Sequence, residues 1–111
     1  AIEACPTSNH LLLGIPYASH PVLKFVRAGI PTTINTDDSG LFETNISEEF
    51  ARVTENIPDL AWNDLKQLAR HSIEHSFASD ETRRELMKRW ENDMREFETS
   101  RDNWAEWLAK D

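Results

Sequence analysis

The chain opens on a short apolar run, Ile2 to Thr7, closed by Pro6 and Asn9, which predicts a buried strand. Leu11 to Tyr17 is apolar too, but Gly14 and Pro16 interrupt it, so it reads as a loop. Ser19-His20-Pro21 then supplies a helix start, with Pro21 in the first turn, where its missing N–H costs nothing. Val22, Leu23, Phe25 and Val26 give that helix an apolar face, and Gly29 ends it. From Pro31 to Thr36 the chain is β-branched at Thr32, Thr33 and Ile34, and it closes on the turn formers Asp37-Asp38-Ser39-Gly40. Strand, helix and strand make a βαβ unit, which implies parallel pairing.

After residue 42 the spacing becomes helical. Ser47, with Glu48 and Glu49 in the first turn, starts a helix that runs to Asn56 and is broken by Pro58; Phe50 stands where a full capping box would place an acid. Leu60, Leu65, Leu68, Ala69, Ile73 and Phe77 mark a second helix from Asp59. Ser79, followed by Asp80 and Glu81, starts a longer third, with the stripe Leu86, Met87, Trp90, Met94 and Phe97. Trp104, Trp107 and Leu108 either extend it or form a short terminal helix. Two parallel strands need helices on both faces and further strands beside them. The chain, which opens on Ala1-Ile2 as if entered from a preceding element, therefore reads as the C-terminal portion of a larger α/β protein. Residues 1–42 hold its last two strands and their connecting helix; residues 43–111 hold C-terminal helices.

Composition narrows the function. A length of 111 residues allows one small domain, and 12 Lys+Arg against 20 Asp+Glu leave a net charge of −8. That balance argues against nucleic acid and against an anionic membrane surface. No run reaches the roughly 18 apolar residues of a membrane span. A single cysteine excludes an intrachain disulfide and a multi-cysteine zinc site. The expectation is a soluble, cytoplasmic protein.

The sharpest chemistry lies in Asn35-Thr36-Asp37-Asp38, at the C-terminal end of the second strand, where parallel α/β proteins place their active sites. Adjacent carboxylates are costly unless a cation, a proton or a substrate donor compensates them. A metal would take one acid and leave the other to hydrogen-bond a substrate; a solvated turn is the competing reading. Cys5-Pro6-Thr7-Ser8-Asn9 ends the first strand on the same side. Cys5 is a candidate nucleophile without a visible acid–base partner, and a buried core thiol suits it better. Thr7, Ser8 and Asn9 either support a site or close a turn. His71 and His75 have the i, i+4 spacing of a metal pair, but Glu74 precedes the second histidine instead of following the first. His20 reads as structural, His10 as loop packing, and the aromatic stripe of the last helix as core or docking surface.

Taken in order, Cys5-Pro6-Thr7-Ser8-Asn9, His20-Pro21, Gly29 and Thr33-Ile34-Asn35-Thr36-Asp37-Asp38 resemble the C-terminal part of the adenosine deaminase family. Ser47-Glu48-Glu49-Phe50 and His71-Ser72-Ile73-Glu74-His75-Ser76-Phe77 resemble the helices that follow, so the likeness covers about residues 1–80. It implies an α/β fold, the C-terminal part of a (β/α)8 barrel comprising its last two parallel strands. It also implies one Zn2+ per complete enzyme and a zinc-activated water that attacks the purine carbon bearing the amino group, releasing ammonia. Asp37 matches the family's zinc-binding aspartate and Asp38 the acid that contacts purine N7, so the resemblance implies that both are catalytic and that Asp38 is substrate-binding. Ser8 would support them from behind. The implied substrate is a small-molecule purine nucleoside or base, adenosine before adenine or a modified adenosine, with His20-Pro21 favouring the nucleoside. The implied partner is the remainder of the barrel. The sequence lacks the family's His-x-His, its His-x-x-Glu segment and its later histidine, and Ser39 replaces a frequent proline. The chain alone is therefore expected to be inactive. A non-catalytic truncated homologue or a helical protein-interaction module is the rival reading.

Overall fold

A computed structural model describes residues 1–108. Its sheet pairs β1 (Ile2–Ala4) with β2 (Thr32–Ile34) in parallel, in the register Ile2 to Thr32, Glu3 to Thr33 and Ala4 to Ile34. Ile2 N–H donates to the Pro31 carbonyl at 2.8 Å and Asn35 N–H to the Ala4 carbonyl at 2.8 Å, so the pairing reaches one residue past each end. The crossover contains α1 (Pro6–Leu13), a 3-10 turn (Tyr17–Ser19) and α2 (Val22–Arg27). After β2 come α3 (Ile46–Asn56), α4 (Trp62–Glu74) and α5 (Asp80–Leu108).

The βαβ unit forms as its pattern predicts, with one correction. The first strand stops at Ala4, and Pro6–Leu13 is helical instead of strand end and loop. Pro6 sits in the first turn, where it sacrifices no hydrogen bond, and Gly14 closes the helix at φ +67°, donating to the His10 carbonyl at 3.1 Å. The Pro and Gly that resemble loop punctuation are the two ends of a helix. Gly29 ends α2 as expected, at φ +73°, but Pro21 stands one residue before the helix, at its N-cap, and not in its first turn.

Helix α3 begins one residue before Ser47. Its cap is Asn45, whose side-chain oxygen accepts from Glu48 N–H at 2.9 Å. Helix α4 starts at Trp62, three residues after Asp59, because Asp64 reaches back to accept from Ala61 N–H at 2.8 Å. Arg27 joins α2 to that same corner, donating to the Asp59 carbonyl at 2.6 Å and to Asp64 at 3.3 Å.

Residues 1–76 form one compact unit and the chain from Phe77 onward another. In the first, Ala4 and Ile34 of the sheet meet Val22, Val53, Ile57, Leu60 and Leu68 in one apolar core, with Leu23, Val26, Phe50 and Leu65 packed against it. In the second, Ser79 Oγ accepts from Thr82 N–H at 3.2 Å and starts α5 as expected. Met87, Trp90 and Met94 of its stripe are half-buried, while Leu86 and Phe97 are exposed. The helix continues to Leu108, so Trp104 and Trp107 extend it; their side chains lie outside the described residues. No helix among the described residues is long and apolar enough to cross a membrane.

Among the described residues Leu68 is the largest fully buried side chain, so Leu68→Ala in the complete protein is expected to cost about 2–5 kcal/mol, read from chemical denaturation midpoints. A loss below about 1 kcal/mol would contradict the packing described.

Candidate active site

Parallel pairing brings the exits of β1 and β2 to the same end of the sheet, and the polar residues of both exits gather there. Asn35 stabilises the β2 exit, its Nδ2 donating to Thr33 Oγ1 at 2.8 Å. Two residues on, Asp37 takes φ +59°, a left-handed conformation that a short Asp side chain tolerates better than most. From the first turn of α1, Ser8 Oγ donates to Asp37 Oδ2 at 2.9 Å, across 29 residues of sequence. Among the described residues no hydrogen bond reaches Asp37 Oδ1. Asp38 is partly committed to its own turn: Oδ1 accepts from Leu41 N–H at 3.0 Å, and its carbonyl accepts from Phe42 N–H at 3.0 Å. Asp38 Oδ2 accepts nothing among the described residues. A cleft of about 410 Å³ lies against this end of the sheet, lined by Glu3, Cys5, Asn35, Thr36 and Asp37 with Ile34 and Ile46.

Two neighbouring groups, Glu49 and Tyr17, were not legible as site residues. Glu49 of α3 is fully buried; its Oε2 accepts from Thr7 N–H at 3.0 Å and its Oε1 from Thr44 Oγ at 2.7 Å. The available signal is spacing, since Glu49, Val53 and Ile57 lie four apart, which puts an acid on the apolar stripe. Tyr17 joins the turn to both helices, its hydroxyl 3.1 Å from Thr7 Oγ1 and accepting from Arg52 at 2.9 Å. His20 is buried, with Nδ1 accepting from Val22 N–H at 3.2 Å, which leaves Nε2 to donate to Asn9 Oδ1 at 2.9 Å. The structural reading of His20 is the observed one.

Cys5 lines the cleft half-buried, more open than a sealed core thiol. Burial first, and then the negative charges of Asp37, Glu3 and Glu49, push its pKa up, which opposes a thiolate nucleophile. The other histidines are engaged elsewhere. His71 Nδ1 lies 3.1 Å from both the N and the O of Thr32, at the start of β2, and its ring meets that of His75 edge-on at 5.8 Å. His10 belongs to α1, with Nδ1 3.1 Å from the Ile15 carbonyl and its ring stacked on Tyr17 at 4.6 Å. Among the described residues no group of three or more His, Cys, Asp or Glu could hold a metal. Asp37 can thus serve as a single oxygen ligand: Ser8 holds one carboxylate oxygen and the other is uncommitted.

A parallel strand pair with polar residues at its C-terminal end and helices packed on it is an α/β arrangement that fits the last two strands of a (β/α)8 barrel and the helices after them. The chain superposes on the crystal structure of adenine deaminase from Arthrobacter aurescens with a TM-score of 0.70 at 28% identity, over 78% of this chain and 26% of that one. The family model described as adenosine deaminase matches residues 1–92, and the chain belongs to that family. It is 39% identical over 88 residues to the adenosine deaminase of Vibrio atlanticus, covering 78% of this chain and 26% of that protein. It is 42% identical over 77 residues to the aminodeoxyfutalosine deaminase of Streptomyces avermitilis, covering 68% of this chain and 21% of that protein. The chain spans about a quarter of the length of the curated relatives it matches.

The buried His20 has a pH consequence. Burial holds its pKa below the ordinary histidine value of 6.5, against a smaller opposite pull from Glu49. The unfolded chain then binds a proton that the folded chain resists, so His20 favours folding fully above 6.5 and loses that contribution as pH falls below it. His20→Gln in the complete protein should flatten the decline in stability between about pH 7 and about pH 5.5, measured by urea midpoints. Equal slopes for parent and variant would refute this assignment.

Proposed function

We propose that the complete protein hydrolytically deaminates a 6-aminopurine, with adenosine as substrate, and that this chain contributes one zinc ligand, Asp37, and one purine contact, Asp38. The observation that carries the reading is the division of labour at the end of β2. Asp37 keeps one carboxylate oxygen uncommitted while Ser8 fixes the other at 2.9 Å, and Asp38 keeps one oxygen uncommitted while Leu41 N–H fixes the other at 3.0 Å. Two acids side by side, each with one anchored and one available oxygen, suit two different partners. Family membership and the adenosine deaminases among the relatives support the reaction class.

Zinc bound at Asp37 would supply Lewis acidity toward a water molecule. The chain's own part is positional. Ser8 restricts the Asp37 carboxylate to one orientation, so less freedom is lost when its outer oxygen becomes a ligand. The turn closed by Asp38 holds its second oxygen at the strand end, where a purine edge would lie. Ring N7 offers a lone pair, so its hydrogen bond with Asp38 needs a proton shared between the two. The remaining ligands and the acid–base group would come from the rest of the barrel.

In the complete protein Asp37→Ala should abolish stoichiometric zinc and deamination together, because the site loses its anionic oxygen ligand. Full zinc occupancy by metal analysis would sink the ligand assignment. Asp38→Ala should retain zinc and lower kcat/KM for adenosine about 100-fold, the size of one lost buried hydrogen bond to a polar partner. A 7-deaza substrate separates the explanations: parent and Asp38→Ala should process it at similar rates. If the variant still discriminates against 7-deaza as strongly as the parent does, Asp38 does not contact N7. Running adenine beside adenosine assigns the base or the nucleoside.

A further inference from the structure

The mechanism above makes no use of Glu49, yet that carboxylate touches both halves of the site. Its residue is 0% exposed, and each oxygen has a different tether. Oε2 takes the Thr7 N–H at 3.0 Å, in the turn of α1 that presents Ser8. Oε1 takes the Thr44 hydroxyl at 2.7 Å; Thr44 N–H in turn donates to the Ser39 carbonyl at 3.1 Å, closing the loop that follows Asp37 and Asp38. Ser8 and Asp37 come from separate strand exits, and their 2.9 Å hydrogen bond requires the two exits to keep a fixed spacing. The side chain of Glu49 bridges those exits from α3.

We propose that Glu49 is a positioning residue that sets Ser8 against Asp37 by holding the α1 turn and the β2 exit loop at one separation. This rests on Asp37 as the zinc ligand. The device is geometric: a neutral amide can accept from Thr7 N–H through its oxygen and donate to Thr44 Oγ through its nitrogen, preserving both tethers. Glutamine should therefore substitute for glutamate, whereas leucine should not.

The test measures zinc dissociation constants by chelator competition in the complete protein, with kcat and KM alongside. Glu49→Leu is expected to weaken zinc about 10-fold and lower kcat more than it raises KM, as for loss of a group supporting a metal ligand. Glu49→Gln should stay within about 3-fold of the parent. Ser8→Ala should weaken zinc about 10-fold, and adding Glu49→Leu to it should cost less than about 3-fold more, because the residue acts through Ser8. Thr44→Val, which removes one tether without unpacking α3, should weaken zinc in the same direction and covers the case in which Glu49→Leu does not fold. Parent-like zinc affinity in Glu49→Leu or Thr44→Val, or full additivity with Ser8→Ala, overturns the proposal. If Asp37→Ala itself keeps its zinc, the ligand assignment has failed instead.

Discussion

Parallel pairing of β1 with β2 is the constraint on which the other features depend. An antiparallel partner would send its exit to the opposite end of the sheet; a parallel one forces the chain to cross over and leave at the same end. That pairing brings Cys5 to Ser8 and Asn35 to Asp38 to the same end of the sheet. The crossover then has to be long enough to return, and here it accommodates two helices and a 3-10 turn between Pro6 and Arg27. With strands only three residues long, little of the polar end is screened by the sheet itself. Helices α2, α3 and α4 supply the apolar cover through Val22, Val53 and Leu68.

Burying an acid beside that core is expensive unless its oxygens find donors. Glu49 finds a backbone N–H of a helix's first turn and a hydroxyl. The first turn of α1 lacks a side-chain cap at Cys5, so the Thr7 N–H would otherwise be an orphan donor. One side chain therefore meets two needs: a helix start without its own cap and a buried carboxylate that must find donors. Tyr17 and Arg52 close the same corner from outside, through the hydroxyl contact at 2.9 Å. The result is a polar seam between α1 and α3, flanking an otherwise apolar core.

Much of this was legible where local chemistry and tertiary context agree. Pro21 and Gly29 frame α2, Ser79 caps α5, the β-branched Thr32-Thr33-Ile34 forms β2, and the acid pair stands at its exit. What escaped was ambiguous locally. Gly14 and Pro16 end a helix and begin a turn, but the same pair also suits an irregular loop, and only the His10 carbonyl that accepts from Gly14 N–H separates the two. Ser47 is a good capping residue, and Asn45 is another two positions earlier; the observed geometry selects Asn45 through Glu48 N–H. Ser8 was identified from family likeness, whereas its contact with Asp37 spans 29 residues and has no local signature. Glu49 had a signature, an acid in register with Val53 and Ile57, although its place in a first helical turn is also where an acid suits the helix N-terminus.

The left-handed backbone of Asp37 ties the identity of that residue to the shape of the chain. Few residue types are comfortable at φ +59°, chiefly glycine, asparagine and aspartate. Lengthening the side chain to glutamate would retain an acid but strain the backbone, and a β-branched residue would strain it further. Asparagine alone among the polar alternatives preserves both outline and backbone while giving up the negative charge. Descendants of this chain released from selection for an anionic oxygen would thus have one inexpensive exit, a single aspartate-to-asparagine change, which would leave the barrel rim almost undisturbed.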